Sequence, residues 1–256
     1  MATALFENVI FGPIRSRRLG ISLGINLLSL DQKLCNFECI YCECGWRGNG
    51  RKSFNPKEEV IELLSSKLQQ MHSAGEHLDV MTFAGNGEPT THPHFAEIID
   101  ATCKARDQYF PEAKIAVLSN ATMIDRTEIR EALLKVDDNI LKLDSAFEQT
   151  VQLINQPHKG YSVAKTVEMM QKFEGKMILQ TMFLRGTYEG VVVDNTTEEE
   201  VSAWLELVKK IAPRKVMIYT IDRDTPAQDL HKVSVEDLKQ IASRVEALGI
   251  ECSVAG

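Results

Sequence analysis

No stretch of the 256 residues stays apolar over the length that a membrane-spanning helix needs. The opening residues, Met-Ala-Thr-Ala-Leu-Phe-Glu-Asn, carry no basic segment ahead of an apolar core, so no secretory signal is expected. Positive charge is in deficit: 29 Lys and Arg face 36 Asp and Glu, a formal net charge of −7. A field of that sign opposes a large polyanion. The deficit is uneven. Residues 1–52 hold seven Lys or Arg against four Asp or Glu, a balance of +3, and the remainder holds 22 against 32, a balance of −10. The N-terminal part can therefore attract a small anion while the whole chain repels a long one. Cysteine is sparse, and three of the six fall in one short run. That excludes a disulfide framework and fits reduced thiols in a cytoplasmic protein. No repeat, low-complexity stretch or interdomain linker interrupts the chain.

What is present is a regular alternation of short apolar runs and amphipathic segments. Strands are expected at 22–30, 78–84, 114–118, 139–143, 177–184 and 215–221, with a last short one at 250–254. Helices are expected at 56–72, 95–110, 126–135, 162–173, 198–211 and 235–248. In the first helix Val60, Leu64, Leu68 and Met71 fall on one face, and Pro56 suits its first turn. Continuous apolar strands separated by helices are the pattern of a buried parallel sheet with right-handed crossovers. An α/β chain of this length forms a curved sheet or barrel, and reactive groups collect at the C-terminal ends of its strands. A single domain over 1–256 is expected, with a basic extension at 1–21 ahead of the barrel proper at 22–256.

The run Cys35-Asn-Phe-Glu-Cys39-Ile-Tyr-Cys42 follows the first expected strand. Thiolates spaced C-x3-C-x2-C on one tight loop can hold three irons of a 4Fe-4S cluster. No fourth cysteine is placed to cap the remaining iron, which leaves it free for a substrate or cosubstrate. A structural zinc knuckle is the competing reading, but it wants a second ligand pair that is not evident nearby. The second strand ends in Gly85-Asn86-Gly87-Glu88-Pro89-Thr90, where glycines let backbone approach a ligand closely and Glu88 can accept from an ammonium. A plain strand-to-helix turn is the alternative.

Other strand ends carry Ser119 and Asn120, then Lys142, Asp144 and Ser145. These can bind hydroxyls or a carboxylate, or Asn120 and Ser145 can serve as helix caps. Lys142 alternates with Leu141 and Leu143 and is expected to face the cavity. The fifth strand carries Gln180 and Thr181 and ends at Arg185, whose guanidinium can hold a carboxylate. The sixth ends in Tyr219, Asp222 and Arg223. Arg15, Arg17 and Arg18 before the first strand, with Trp46, Arg47, Arg51 and Lys52 after the cysteines, make a candidate basic rim that suits a phosphate and a stacked base. A solvated basic loop is the plainer reading. His92 and His94 read as surface residues, Cys103 and Cys252 as buried small hydrophobes, and Cys44 as a hydrogen donor, a stray thiol or a competing ligand.

The cysteine run with its aromatic Tyr41, and the Gly-Glu turn one strand later, resemble the radical S-adenosylmethionine (radical SAM) superfamily. The resemblance implies a partial (β/α)6 TIM-like barrel. It implies a 4Fe-4S cluster on Cys35, Cys39 and Cys42, and S-adenosyl-L-methionine chelated by the open iron and cleaved to a 5′-deoxyadenosyl radical. Tyr41 then matches the aromatic that packs on adenine, Gly85, Asn86, Gly87 and Glu88 the motif that meets the ammonium, and Asp144 and Ser145 the ribose-contacting position. An electron donor such as flavodoxin or ferredoxin is implied as a partner.

Together with Gly12-Pro-Ile-Arg15-Ser16-Arg17-Arg18-Leu-Gly20 and Tyr219-Thr-Ile-Asp-Arg223, these motifs resemble the wyosine-synthetase-like iron–sulfur oxidoreductases within that superfamily. Wyosine-forming tRNA enzymes carry a second cluster on upstream cysteines. No cysteine precedes Cys35 here, and the net charge opposes tRNA. A small modified nucleoside or nucleotide is the better-fitting substrate, as in enzymes of the queuine lyase type, which release a deazaguanine base. The arginines would hold its phosphate, and Trp46 or Tyr219 would stack its base. A glycyl-radical activating enzyme acting on a protein partner, and a non-catalytic cluster carrier, are the other classes that such a chain can represent.

Overall fold

The structure, a computed structural model, describes residues 5–16, 19–50 and 53–256. Its centre is an eight-stranded sheet. The strands are β1 (Ile10–Ser16), β2 (Gly20–Ile25), β3 (Val80–Phe83), β4 (Lys114–Ser119), β5 (Asp138–Lys142), β6 (Ile178–Met182), β9 (Lys215–Tyr219) and β11 (Glu251–Ala255), adjacent in that order. From β2 to β11 every pairing is parallel, while β1 pairs antiparallel with β2. With β1 and β11 as free edges, the sheet curls without closing, a partial (β/α)6 TIM-like barrel with two further strands. Short runs of four to seven residues suffice because both faces are covered.

Helices α1 (Lys57–Ser73), α2 (Phe95–Tyr109), α3 (Thr127–Lys135), α4 (Glu148–Asn155), α5 (Val163–Gln171), α6 (Glu198–Ile211) and α7 (Val235–Glu246) make the crossovers. In α1 the buried residues are Val60, Leu64, Leu68 and Met71, the stripe that its spacing predicts. The Thr197 hydroxyl caps α6 by accepting from the Glu200 N–H. Three glutamates in its first turn and Lys209 and Lys210 in its last complement the helix dipole. Strand side chains alternate between a helix-facing core and a smaller inner cluster of Val80, Ala116, Ile140, Ile178 and Met217 that floors the barrel. Among the described residues no helix is long and apolar enough to cross a membrane.

Three features depart from the sequence expectation. The segment expected as an extension contributes β1 to the main sheet, and the Phe11 ring lies over Gly24, where a Cβ would stand 2.1 Å from it. Helix α4 is eight residues long, too short for its periodicity to stand out. The fifth expected strand breaks at Phe183, whose N–H turns to the Tyr219 carbonyl. The chain then starts a separate antiparallel sheet of β7 (Leu184–Tyr188), β8 (Val191–Asp194) and β10 (Leu230–Lys232).

The first strand also ends earlier than its apolar run. Residues beyond Ile25 are buried as a loop, held by an isolated bridge between Leu28 and Phe54. Asn55 supports this loop from outside: its Nδ2 donates to the carbonyls of Asn26 (2.9 Å) and Leu28 (2.8 Å). Behind it, His92 donates from Nε2 to the Asn55 carbonyl (2.9 Å) and accepts the His94 N–H at Nδ1 (3.1 Å). That uses both nitrogens of a neutral ring, and burial lowers its pKa below the ordinary 6.5. The sequence placed His92 on the surface; only His94 is there. Unfolded chains bind a proton at His92 near pH 6.5 that the folded chain refuses, so stability falls as pH drops through that value. We expect the unfolding free energy from urea titrations to decline from pH about 7 to about 5.5, by at most about 1.4 kcal/mol per pH unit from this residue. His92→Gln, which cannot titrate, is expected to show a shallower decline; parallel profiles for the two proteins would contradict this.

Candidate active site

Every parallel strand delivers its C-terminal end to one mouth, and the long loop after β2 folds over it. Cys35, Phe37, Cys39, Tyr41, Cys42 and Cys44 from this loop line a cavity of about 260 Å³ with Gly85, Gly87 and Glu88, Ser119 and Asn120, Lys142, Gln180 and Met182, and Tyr219. A parallel bridge fixes the start of the loop against the turn after β3. The Leu34 N–H donates to the Asn86 carbonyl (2.7 Å), and the Glu88 N–H donates to the Leu34 carbonyl (3.0 Å). Gly87 between them has φ +141°, and a Cβ there would lie 1.7 Å from the Leu34 carbonyl oxygen. The loop approaches the turn so closely that only glycine fits.

Donors and charge also gather at the sulfurs. Cys35 Sγ accepts from the Phe37 N–H (3.4 Å) and lies 3.6 Å from Asn120 Nδ2, and Cys39 Sγ accepts from Asn155 Nδ2 (3.4 Å). The Lys33 ammonium is buried, donates to the Gly45 carbonyl (2.8 Å) and faces the thiols. Burial works against its charge, but Cys42, Cys35 and Cys39 together hold its pKa above the ordinary value. Burial, then Glu88, pushes the Cys35 thiol up to about 12, and burial likewise raises Cys39. Cys44 beside it holds Cys42 down to about 5, and the same contact raises Cys44. Buried thiols of raised pKa become thiolates when a metal supplies the compensating charge. Thiols that each ligate a different iron need not converge on one point, and among the described residues no three His, Cys, Asp or Glu side chains do. Four thiols line the cavity, and the three of the C-x3-C-x2-C run, with N–H donors to Cys35 and Cys39 and a facing ammonium, fit an iron–sulfur cluster.

The remaining expected residues divide into groups. Glu88 lines the cavity, but its carboxylate is already engaged: Oε1 accepts from Ser119 Oγ (2.9 Å) and the Thr90 N–H (3.1 Å), and Oε2 from the Asn120 N–H (2.6 Å). Burial raises its pKa. Asn86 turns its side chain away from the cavity, bonding Phe6 and the Ser29 carbonyl at the start of the loop, so only its backbone meets the segment that leads into the cysteines. Asp144 and Ser145 do not line the cavity. Tyr41 donates its hydroxyl to Asp144 Oδ2, which also accepts from Asn155 (2.7 Å), while Asp144 Oδ1 accepts from the Met182 N–H (2.9 Å). Ser145 donates to Glu200 Oε2 (2.6 Å) and accepts from the Phe147 N–H (2.9 Å). Both lie one layer behind the wall, where buried polar groups hold one another.

Lys142 faces the cavity as its alternation predicts, with its ammonium 2.9 Å from the Tyr219 hydroxyl and 3.6 Å from Asp144 Oδ1, over the rings of Tyr41 and Tyr219. Arg185 is carried away on β7, where Asp237 (2.9 Å), Asp194 and Thr196 hold its guanidinium. Trp46 stays outside the cavity near Tyr188, and Arg47 is bound by Glu38 of its own loop (2.7 Å). Arg17, Arg18, Arg51 and Lys52 lie outside the described residues.

A second cavity, of about 280 Å³, occupies the inside of the curled sheet. Gly85, Leu118 and Gln180 border both cavities, as do Glu43 and Arg223, which pair at 2.9 Å across their common edge. Arg15, Phe6 and Phe11 line only the inner one. Lys33, Asn155 and Gln180 were not singled out from sequence as site residues; for Lys33 the available signal was a cation two positions before the first cysteine.

The Radical SAM superfamily model matches residues 30–208. The chain is 30% identical over 240 residues to the UPF0026 protein MJ1312 of Methanocaldococcus jannaschii, covering 91% of this chain and 70% of that one. It is 28% identical to a UPF0026 protein of Helicobacter pylori, covering 94% and 74%. Among solved structures, a radical SAM methyltransferase from Sphaerobacter thermophilus superposes with a TM-score of 0.68 at 15% identity, over 91% of this chain and 65% of that one. Streptococcus suis SuiB bound to S-adenosylmethionine gives 0.62 at 13%, over 88% and 49%. TYW1 with a lysine-pyruvate adduct gives 0.60 at 13%, over 88% and 73%. The chain thus spans about half of SuiB and just under two thirds of the methyltransferase.

The clasp at Gly87 makes cluster loading sensitive to one methyl group. Gly87→Ala is expected to leave helix content intact while anaerobically reconstituted protein retains less than about half of the wild-type iron and sulfide, since the loop has to move off the turn. Iron content equal to wild type would contradict the role of the clasp.

Proposed function

The chain belongs to the radical SAM superfamily, and on that premise we propose that it acts on a small modified nucleoside or nucleotide, releasing its base. Its cofactors are a 4Fe-4S cluster and S-adenosylmethionine. Cys35, Cys39 and Cys42 are the residues that would hold the cluster. When bound, cluster and cosubstrate together supply a strongly hydrogen-abstracting carbon radical.

The chain's own residues do the rest. The backbone of Gly85, Asn86 and Gly87, with Ser119 and Asn120, forms the cosubstrate side of the outer cavity. Glu88 organises it by tying the turn to the end of β4. Tyr41 is set by Asp144 and Asn155, which orients its ring without exposing its hydroxyl. In this reading Asp144 and Ser145 are positioning residues behind the wall. The loop and the strand ends wall the cavity, which would set a seated substrate next to the reactive intermediate.

The observation that carries the substrate reading is the second cavity. It adjoins the first directly, is walled by Phe6, Phe11, Leu118, Ile140 and Met217, and has Arg15 and Arg223 at its edge. An apolar slot with a guanidinium at its rim suits a flat base with an anionic group. A large nucleic acid finds no matching field on a chain of net charge −7. The electron that starts the cycle would come from a donor such as flavodoxin or ferredoxin.

The direct test is anaerobic. Reconstituted protein with reductant and S-adenosylmethionine is expected to form 5′-deoxyadenosine, at least about tenfold faster with queuosine 5′-phosphate present, together with free base. Slow formation without stimulation would remove this substrate, and none from protein with an intact cluster would remove the catalytic reading.

A further inference from the structure

Gln180 sits in the middle of β6 with 6% of its surface exposed. Its carbonyl accepts the Leu143 N–H (3.0 Å), but its side-chain amide has no hydrogen-bond partner among the described residues. The strand register sets it between Lys142 on β5 and Met217 on β9, on the inner face of the sheet. Its sequence neighbour Thr181 points the other way and is fully engaged, donating to the Leu143 carbonyl (2.8 Å) and accepting from Trp204 Nε1 (3.1 Å). The other buried polar side chains of the inner cavity, Ser22 and Thr82, satisfy each other at 2.8 Å. The amide is open to the cavity and not sealed in the core, so its donors and acceptor are available to a ligand seated there.

We propose that Gln180 determines substrate specificity by reading the hydrogen-bonding edge of a heterocyclic base bound in the inner cavity, while Arg15 holds the anionic end of the same molecule. A planar amide presents an acceptor beside two donors, the complement of a nucleobase edge that carries a donor next to an acceptor. Leu118, Ile140, Met217 and the Phe11 ring provide apolar faces for a flat ring beside that amide. Arg15 lines the same cavity and is exposed; its charge reaches the Asp79 carboxylate, but no salt bridge within 4 Å holds it among the described residues, whereas Arg223 at the edge is bound to Glu43. The chemical class that uses both groups at once is a nucleoside monophosphate. This inference rests on the nucleotide reading above and adds the residue that discriminates among nucleotides.

Calorimetric titration of the reconstituted holoenzyme, with saturating S-adenosylmethionine so that the outer cavity is taken, tests it. The probes are guanosine 5′-monophosphate, guanosine and ribose 5-phosphate. Wild-type protein is expected to bind the monophosphate about tenfold or more tightly than either fragment. In Gln180→Met, of similar volume, the monophosphate is expected to fall to the affinity of ribose 5-phosphate, whose own binding stays unchanged and shows that the pocket is intact. In Arg15→Ala it is expected to fall to the affinity of guanosine. Monophosphate binding unchanged in Gln180→Met, or an equal loss for monophosphate and ribose 5-phosphate, would overturn the role of Gln180 and leave the nucleotide reading standing. No binding of any probe to wild-type protein would overturn both.

Discussion

Two backbone hydrogen bonds tie the start of the cysteine loop to the turn after β3: Leu34 N–H to Asn86 and Glu88 N–H to Leu34. The entry to the loop takes its place from them, while Glu38 and Ile40 further along are bonded to the end of α4. The first two bonds fix the first cysteine one residue away from a rigid strand end, so the thiols that follow fall along the cavity wall and not into solvent. The contact needs a glycine at 87, because the carbonyl of Leu34 occupies the place of a side chain. The same turn then supplies Glu88, whose buried carboxylate collects donors from its own turn and from the end of β4. Loop, second strand and third strand are thereby one unit, and a long functional loop keeps a defined shape.

On the opposite side of the cavity, a buried polar network plays the corresponding part. Asp144 receives Tyr41, Asn155 and the Met182 N–H, with Lys142 nearby and Tyr219 beyond it. A carboxylate without exposed side-chain surface is tolerable because its lone pairs are filled and a cation balances it. The result is a wall in which aromatic faces and a lysine meet the cavity while the hydrogen-bonding groups that orient them stay behind. Asn155 couples this wall to Cys39 and comes from α4, so a short helix that contributes little to the core matters to the site.

The sheet, its order of units and the mouth were legible in the sequence because parallel strands buried on both faces read as plain apolar runs. The cysteine spacing and the Gly-Asn-Gly-Glu turn were legible because their chemistry depends on local spacing. What was not legible depends on tertiary partners. Asp144 stands at a strand end where a ligand-binding carboxylate belongs, yet the side chain that reaches it is Tyr41, 103 residues away. Arg185 follows an apolar strand without a break in composition, and only the turn of Phe183 toward β9 shows that the chain has left the barrel. Arg47 and Trp46 read as part of a basic aromatic rim, but Glu38 in the same loop binds the arginine. Gln180 is one polar residue in a buried strand, and nothing local distinguishes an amide that pairs with the protein from one left facing a cavity.

In the site proposed here three thiolates hold the cluster, with one iron left for the cosubstrate. Electron paramagnetic resonance of the anaerobically reconstituted, reduced protein addresses it directly. The expected result is a reduced 4Fe-4S signal whose g values shift when S-adenosylmethionine is added, because the open iron would gain new ligands. A signal identical with and without S-adenosylmethionine would mean that the fourth iron is already closed by the protein, and would contradict it.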